Sequence, residues 1–104
     1  MNEAMEITTF QLAKGITMKG FIAANTDVDE WLKKQPGFIL RCICKGRDGR
    51  IIDMLLWRSA REGQRAASSI MTELSESPVH AAIDRSTVDW SIRTLWHRID
   101  GSMT

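Results

Sequence analysis

The chain has 104 residues, 43% of them apolar and 26% charged, and a net charge of +1. That length suits one domain with one modest core, and that charge leaves no electrostatic footprint for nucleic acid or an anionic membrane surface. No apolar run approaches the roughly 20 residues that cross a bilayer, and MNEAMEITTF lacks a basic segment followed by an apolar one. The expectation is a single domain over 1–104, ordered from about 4 to 99, in the cytoplasm.

Met5 to Leu12 (MEITTFQL), rich in β-branched residues and Phe, reads as a strand that Lys14-Gly15 ends. From about Thr17 to Lys34, Met18, Phe21, Ile22, Val28 and Leu32 recur at helical spacing. Asn25 interrupts that stripe, and Pro36-Gly37 stops the helix. The stretch GFILRCICKGRDGRIIDMLLWRS follows as a hairpin turning at Gly46 to Gly49, with Asp48-Gly49 a primed-turn pair. Ser59-Ala60-Arg61-Glu62 is a capping box, and the second helix that it opens carries Ala66, Ala67, Ile70, Met71 and Leu74 on one face. Ser77-Pro78 begins a short helical turn through Ile83. Thr87 to Ile99 reads as a long last strand, and the tail GSMT, 101–104, as loose.

The order βαββαβ, with two right-handed crossovers, predicts an α+β ferredoxin-like fold: a four-stranded antiparallel sheet with two helices on one face. With a two- or four-residue turn, Phe38, Leu40, Cys42 and Cys44 share a face with Ile51, Asp53, Leu55 and Trp57. Ile39, Arg41, Ile43 and Lys45 then go with Ile52, Met54 and Leu56, so Arg41 and Asp53 point to opposite sides and find partners elsewhere. Cys42 and Cys44 share a strand face as buried, reduced, small hydrophobes, with no histidine pair beside them to make a metal site. Both faces of the hairpin are oily, and the helices cover one. A second copy packed on the other predicts a homodimer through the helix-free face.

The segments WLKKQPGF (31–38), DGRIIDMLLWRSAREGQRA (48–66) and SPVHAAID (77–84) resemble the antibiotic-biosynthesis-monooxygenase-like group of dimeric α/β-barrel proteins. In that group a QPGF stretch ends the first helix, a strand ending in Trp-x-Ser opens the second, and a Pro-containing turn precedes the last strand. The resemblance spans about residues 5 to 99. It implies a ligand cavity between sheet and helices, and in some members oxidation of quinol-type or polycyclic aromatics by molecular oxygen with no cofactor. The deprotonated substrate supplies the electrons. Other members bind ligands without turnover, and one branch degrades haem. That branch uses an Asn on the first strand and a Trp on the second helix, where this chain offers Thr8, Thr9 and Phe10 and no Trp.

Two residues stand out as catalytic candidates. Asn25 is an amide on an apolar stripe, suited to orienting an oxygenated ring, or otherwise bonded to a neighbouring strand. His80 falls in the turn after the second helix, where a cavity mouth is expected, and imidazoles titrate near neutral pH. Its alternative is an ordinary surface histidine. Trp57, Trp90 and Trp96 are candidates to line a pocket for a flat ligand, or else core and interface residues. Arg93 is a candidate for a ligand carboxylate. The resulting expectation is a cofactor-independent monooxygenase of small aromatic substrates, with a non-enzymatic dimeric binding or regulatory protein as the alternative. Neither needs a metal. An RNA-recognition domain shares the element order but needs a basic Gly-aromatic motif that RIIDMLLW lacks.

Overall fold

A computed structural model describes residues 2–101. Four strands and four helices run in the order β1 (Ala4–Leu12), α1 (Met18–Ala23), α2 (Thr26–Lys33), β2 (Phe38–Lys45), β3 (Ile51–Trp57), α3 (Ala60–Glu73), α4 (Val79–Ala82) and β4 (Ile83–Thr94). The strands pair antiparallel in the order β2-β3-β1-β4, the ferredoxin-like arrangement that two right-handed crossovers produce. No helix among the described residues is long and apolar enough to cross a membrane. Of the tail, 102–104 lie outside the described residues.

The expected first helix is two helices. The chain breaks at Asn25, whose φ of -95° and ψ of 5° leave the helical well, and whose backbone N–H turns to the Ile22 carbonyl. The break divides the apolar stripe: Phe21, Val28 and Leu32 are buried, and Ile22 is exposed. Thr17 caps α1 through its hydroxyl, and Ser59 accepts from the Glu62 backbone N–H to start α3 as the capping box requires. The last strand starts at Ile83 and ends at Thr94, so Trp96 and Ile99 lie beyond it and are exposed.

The hairpin turns over three residues. Gly46 N–H bonds the Arg50 carbonyl, Lys45 faces Ile51, and Gly49 takes the left-handed φ of 85° that closes such a loop. An odd loop reverses the parity that a two- or four-residue turn would give, and a one-residue shift turns every side chain over. Arg41, Ile43 and Lys45 therefore face the helices with Leu55, Asp53 and Ile51, while Leu40, Cys42 and Cys44 share the other side with Leu56, Met54 and Ile52. A bulge at Ile39 restores the register, so Phe38 reaches Trp57 edge to face at 5.6 Å. The expected assignment of the two faces of β2 is thus corrected. So is the burial of Cys42 and Cys44, which are free and exposed on the helix-free side of the single chain.

The core lies between the sheet and the helices, around Phe10, Phe21, Ile51, Leu55 and Trp57. Gly63 lets α3 approach it. A methyl group there would lie 2.5 Å from Ile92 Cδ1 and 2.9 Å from Trp57 Cδ1. Alanine gains roughly 1 kcal/mol of helix propensity, but overpacking a fixed indole costs about 1–3 kcal/mol. Gly63→Ala is expected to lower the urea midpoint; a raised midpoint would show that Ile92 and Trp57 yield.

Candidate functional site

Between the helix-facing side of the sheet and helices α2, α3 and α4 lies a cavity of about 890 Å³. Its wall combines apolar side chains such as Phe10, Val28, Leu55 and Ile70 with a few polar ones. That combination is typical of sites for small organic ligands. Of the residues singled out from sequence, Asn25, His80, Trp57 and Trp90 line it. Trp96 does not; it is 93% exposed past the end of β4. Nor does Arg93, which pairs with Met5 in the sheet and is exposed on the helix-free side.

Asn25 lines the cavity at the break between α1 and α2. Its Nδ2 donates to the Phe21 carbonyl at 2.9 Å, and this bond fixes which end of the amide is oxygen. The residue is 1% exposed and its Oδ1 has no hydrogen-bond partner among the described residues. A buried carbonyl left in that state costs about 1–3 kcal/mol.

His80 sits on α4 with its Nε2 2.8 Å from the Leu74 carbonyl. A carbonyl only accepts, so Nε2 carries the proton and the neutral ring keeps its lone pair on Nδ1. Leu74 is the C-cap of α3, and its carbonyl takes the same N–H whether the ring is neutral or charged.

Two further features were not read from the sequence. Glu6 on β1 is a buried carboxyl in the cavity wall. It accepts from Trp57 Nε1 at 2.8 Å and from Trp90 Nε1 at 2.7 Å, one indole on each oxygen. Burial pushes its pKa above the usual carboxylate value, and the two indole bonds pull it only partly back. The clue in the sequence was parity: Glu6 alternates with Ala4, Thr8 and Phe10 on the core side of the strand.

The second feature is a charge network at the β2–β3 side of the cavity. Arg41 grips Asp53 with Nε to Oδ1 at 3.0 Å and Nη2 to Oδ2 at 2.7 Å, and its Nη1 reaches Asp29 on α2 at 2.9 Å. Burial works against the guanidinium charge, but the bonds and charge of Asp53, then of Asp29, outweigh it and hold its pKa above the ordinary value. The expectation that Arg41 and Asp53 could not meet within one subunit is corrected by the three-residue turn.

No protein-family model matches the chain, and no curated protein does. Solved structures do. SnoaB, a cofactor-independent oxygenase from Streptomyces nogalater, superposes with a TM-score of 0.73 at 14% identity, over 97% of this chain and 100% of that one. A monooxygenase of Streptomyces coelicolor, solved with the ligand nanaomycin D, gives 0.63 at 18% identity over 97% and 94%. A dimeric ferredoxin-like protein from an uncultured marine organism gives 0.68 at 13% identity over 98% and 95%. At these identities the likeness establishes the fold, which is the one implied by the sequence resemblance.

Proposed function

We propose that the chain is a cofactor-independent monooxygenase that oxidises a flat phenolic or quinol-type aromatic in the cavity. The observation that carries this reading is Asn25 Oδ1: a buried acceptor without a partner among the described residues, in the wall of a cavity that His80 also lines. A ligand hydroxyl donated to Asn25 relieves its unmet hydrogen bond and sets the ring's orientation. His80 Nδ1 then takes a proton from the activated carbon or phenol. The substrate anion carries the electrons that molecular oxygen needs. For an anthrone-type CH2 group, the carbanion forms a C–O bond with O2, and the peroxide anion recovers the proton from His80. Loss of the second C–H proton breaks the O–O bond, leaving a ketone and water. The activity named for SnoaB and for the Streptomyces coelicolor protein that binds nanaomycin D supports this assignment.

Oxygen uptake with 1,8-dihydroxyanthrone and a panel of hydroquinones, in chelator and without flavin, tests it. Turnover well above the enzyme-free rate is expected. Uptake at the enzyme-free rate across the panel, with thermal stabilisation by the same compounds, would instead mark a binding protein.

We further infer that the working unit is a homodimer, in the reducing cytoplasm where Cys42 and Cys44 persist as thiols. On the helix-free side Leu40 is exposed and Met5, Ile7, Ile52 and Met54 are half-buried, an apolar expanse of the kind that marks an interface. Sheet-to-sheet packing of a second copy would cover it by a two-fold, self-complementary contact, and the dimeric state of a ferredoxin-like neighbour supports pairing of two copies. Met54 lies between Ile7 and Cys42 on this face. Met54→Arg is expected to sediment as a monomer, and the wild-type unfolding midpoint to rise with protein concentration. A midpoint constant over a hundredfold range of concentration would overturn the dimer.

A further inference from the structure

The cavity wall contains a device that the reaction scheme does not use. On β1, the central-strand residue Glu6 stands opposite Leu55 of β3 and Ile92 of β4. Its diagonal neighbours on the same face are Trp57 and Trp90, opposite Ala4 and Thr8 respectively. One indole reaches in from each side, and each gives its N–H to a separate carboxylate oxygen. Indole nitrogen only donates, so a carboxylate is the side chain best suited to accept from two at once.

The two rings differ in what else holds them. Trp57 is fully buried and packed edge to face against Phe38. Trp90 is 43% exposed on the edge strand β4 and lines the cavity. Packing alone does not fix the plane of a half-exposed indole. The bond to Glu6 does, and Trp57 steadies Glu6 in turn from the core. Stacking on an aromatic ring rewards a ligand fully only when that ring is already held in place.

We propose that Glu6 is a positioning residue that holds Trp90 as the fixed wall against which the fused rings of the ligand stack, given the aromatic ligand assigned above. The site thereby favours planar ligands of two or more fused rings over single-ring phenols. Glu6→Gln keeps the volume, but its amide accepts from one indole and presents an N–H2 to the other. Trp57 is locked by packing, so Trp90 is the ring released. Trp90→Phe retains a ring and removes the donor.

The test is a calorimetric titration with 1,8-dihydroxyanthraquinone, a flat probe already oxidised and so independent of turnover. Each single variant is expected to bind it roughly tenfold more weakly than wild type. Both break the same bond, so the double variant should bind no more weakly than either single one. In the amide NMR spectrum, the Trp90 indole N–H, assigned by its absence in Trp90→Phe, should exchange faster with water in Glu6→Gln. Trp90 is half-exposed, so Trp90→Phe carries the test even if Glu6→Gln unfolds. Affinity within twofold of wild type in Trp90→Phe, or additive losses in the double variant, would overturn the proposal. A wild type that binds the probe without oxidising 1,8-dihydroxyanthrone would remove the enzymatic reading and leave the clamp to the titration.

Discussion

Arg41→Met is expected to destabilise the protein by about 3–5 kcal/mol, the usual result of stripping the partner from a buried charge. Asp53 is 8% exposed, and both its oxygens are held by Arg41 at 3.0 and 2.7 Å. Methionine replaces the aliphatic stem but none of the five N–H donors, so the carboxylate is left buried and unpaired. The third bond, from Nη1 to Asp29, contributes little because Asp29 is exposed and its attraction is screened by solvent. A second variant separates lost pairing from lost packing. Arg41→Met combined with Asp53→Leu removes the orphaned charge together with its partner and is expected to regain most of the stability, as apolar replacement of a buried ion pair commonly does. The measurement is the urea midpoint of each variant at one protein concentration, with the slope compared to confirm a common unfolding transition. A single-variant loss below about 1 kcal/mol, the range of surface ion pairs, would show that the cavity admits enough water to solvate Asp53.

His80→Ala is expected to lower kcat for 1,8-dihydroxyanthrone by about 10²–10⁴-fold, the ordinary contribution of a placed general base. The two carboxylates of the wall are already engaged. Glu6 has both oxygens engaged by indoles, and Asp53 has both engaged by Arg41. KM should change far less than kcat, because the ligand's orientation comes from Asn25 and the tryptophans. The vacated space opens on the cavity, so added imidazole should restore part of the rate. His80→Phe keeps the ring's bulk without its nitrogens and should lose the rate beyond rescue. Wild-type kcat in His80→Ala would place the proton transfer elsewhere, and oxygen uptake as fast without protein would dismiss catalysis altogether.

The element order was legible because each boundary carried its own local chemistry. Ser59 to Glu62 spelled a capping box, Pro36-Gly37 a stop, and Asp48-Gly49 a turn, and these are decided within a few residues. The side of the sheet that each β2 residue faces was not legible, because it depends on whether the loop holds an odd or even number of residues. Asp48-Gly49 fits a two-residue turn and the three-residue loop alike. From that one ambiguity came the misplacement of Arg41. Asn25 was visible as an amide on an apolar stripe, but the stripe gave no sign that the helix breaks there, since no Pro or Gly marks the position. Trp57, Trp90, Trp96 and Arg93 looked alike as ligand contacts because a strand pattern does not say where the strand ends or which side is roofed. Glu6 escaped notice for the opposite reason: a single acid in a half-polar strand is unremarkable until the indoles from two other strands arrive.

The turn of three residues and the bulge at Ile39 undo one another: the first rotates the middle of β2 and the second rotates its start back. Arg41 can therefore face inward on the same strand whose first residue, Phe38, still meets Trp57. A loop one residue longer would turn the arginine out and leave an acid stranded, and straightening the strand at Ile39 would then bring Phe38 back to Trp57 but not Arg41 back to Asp53.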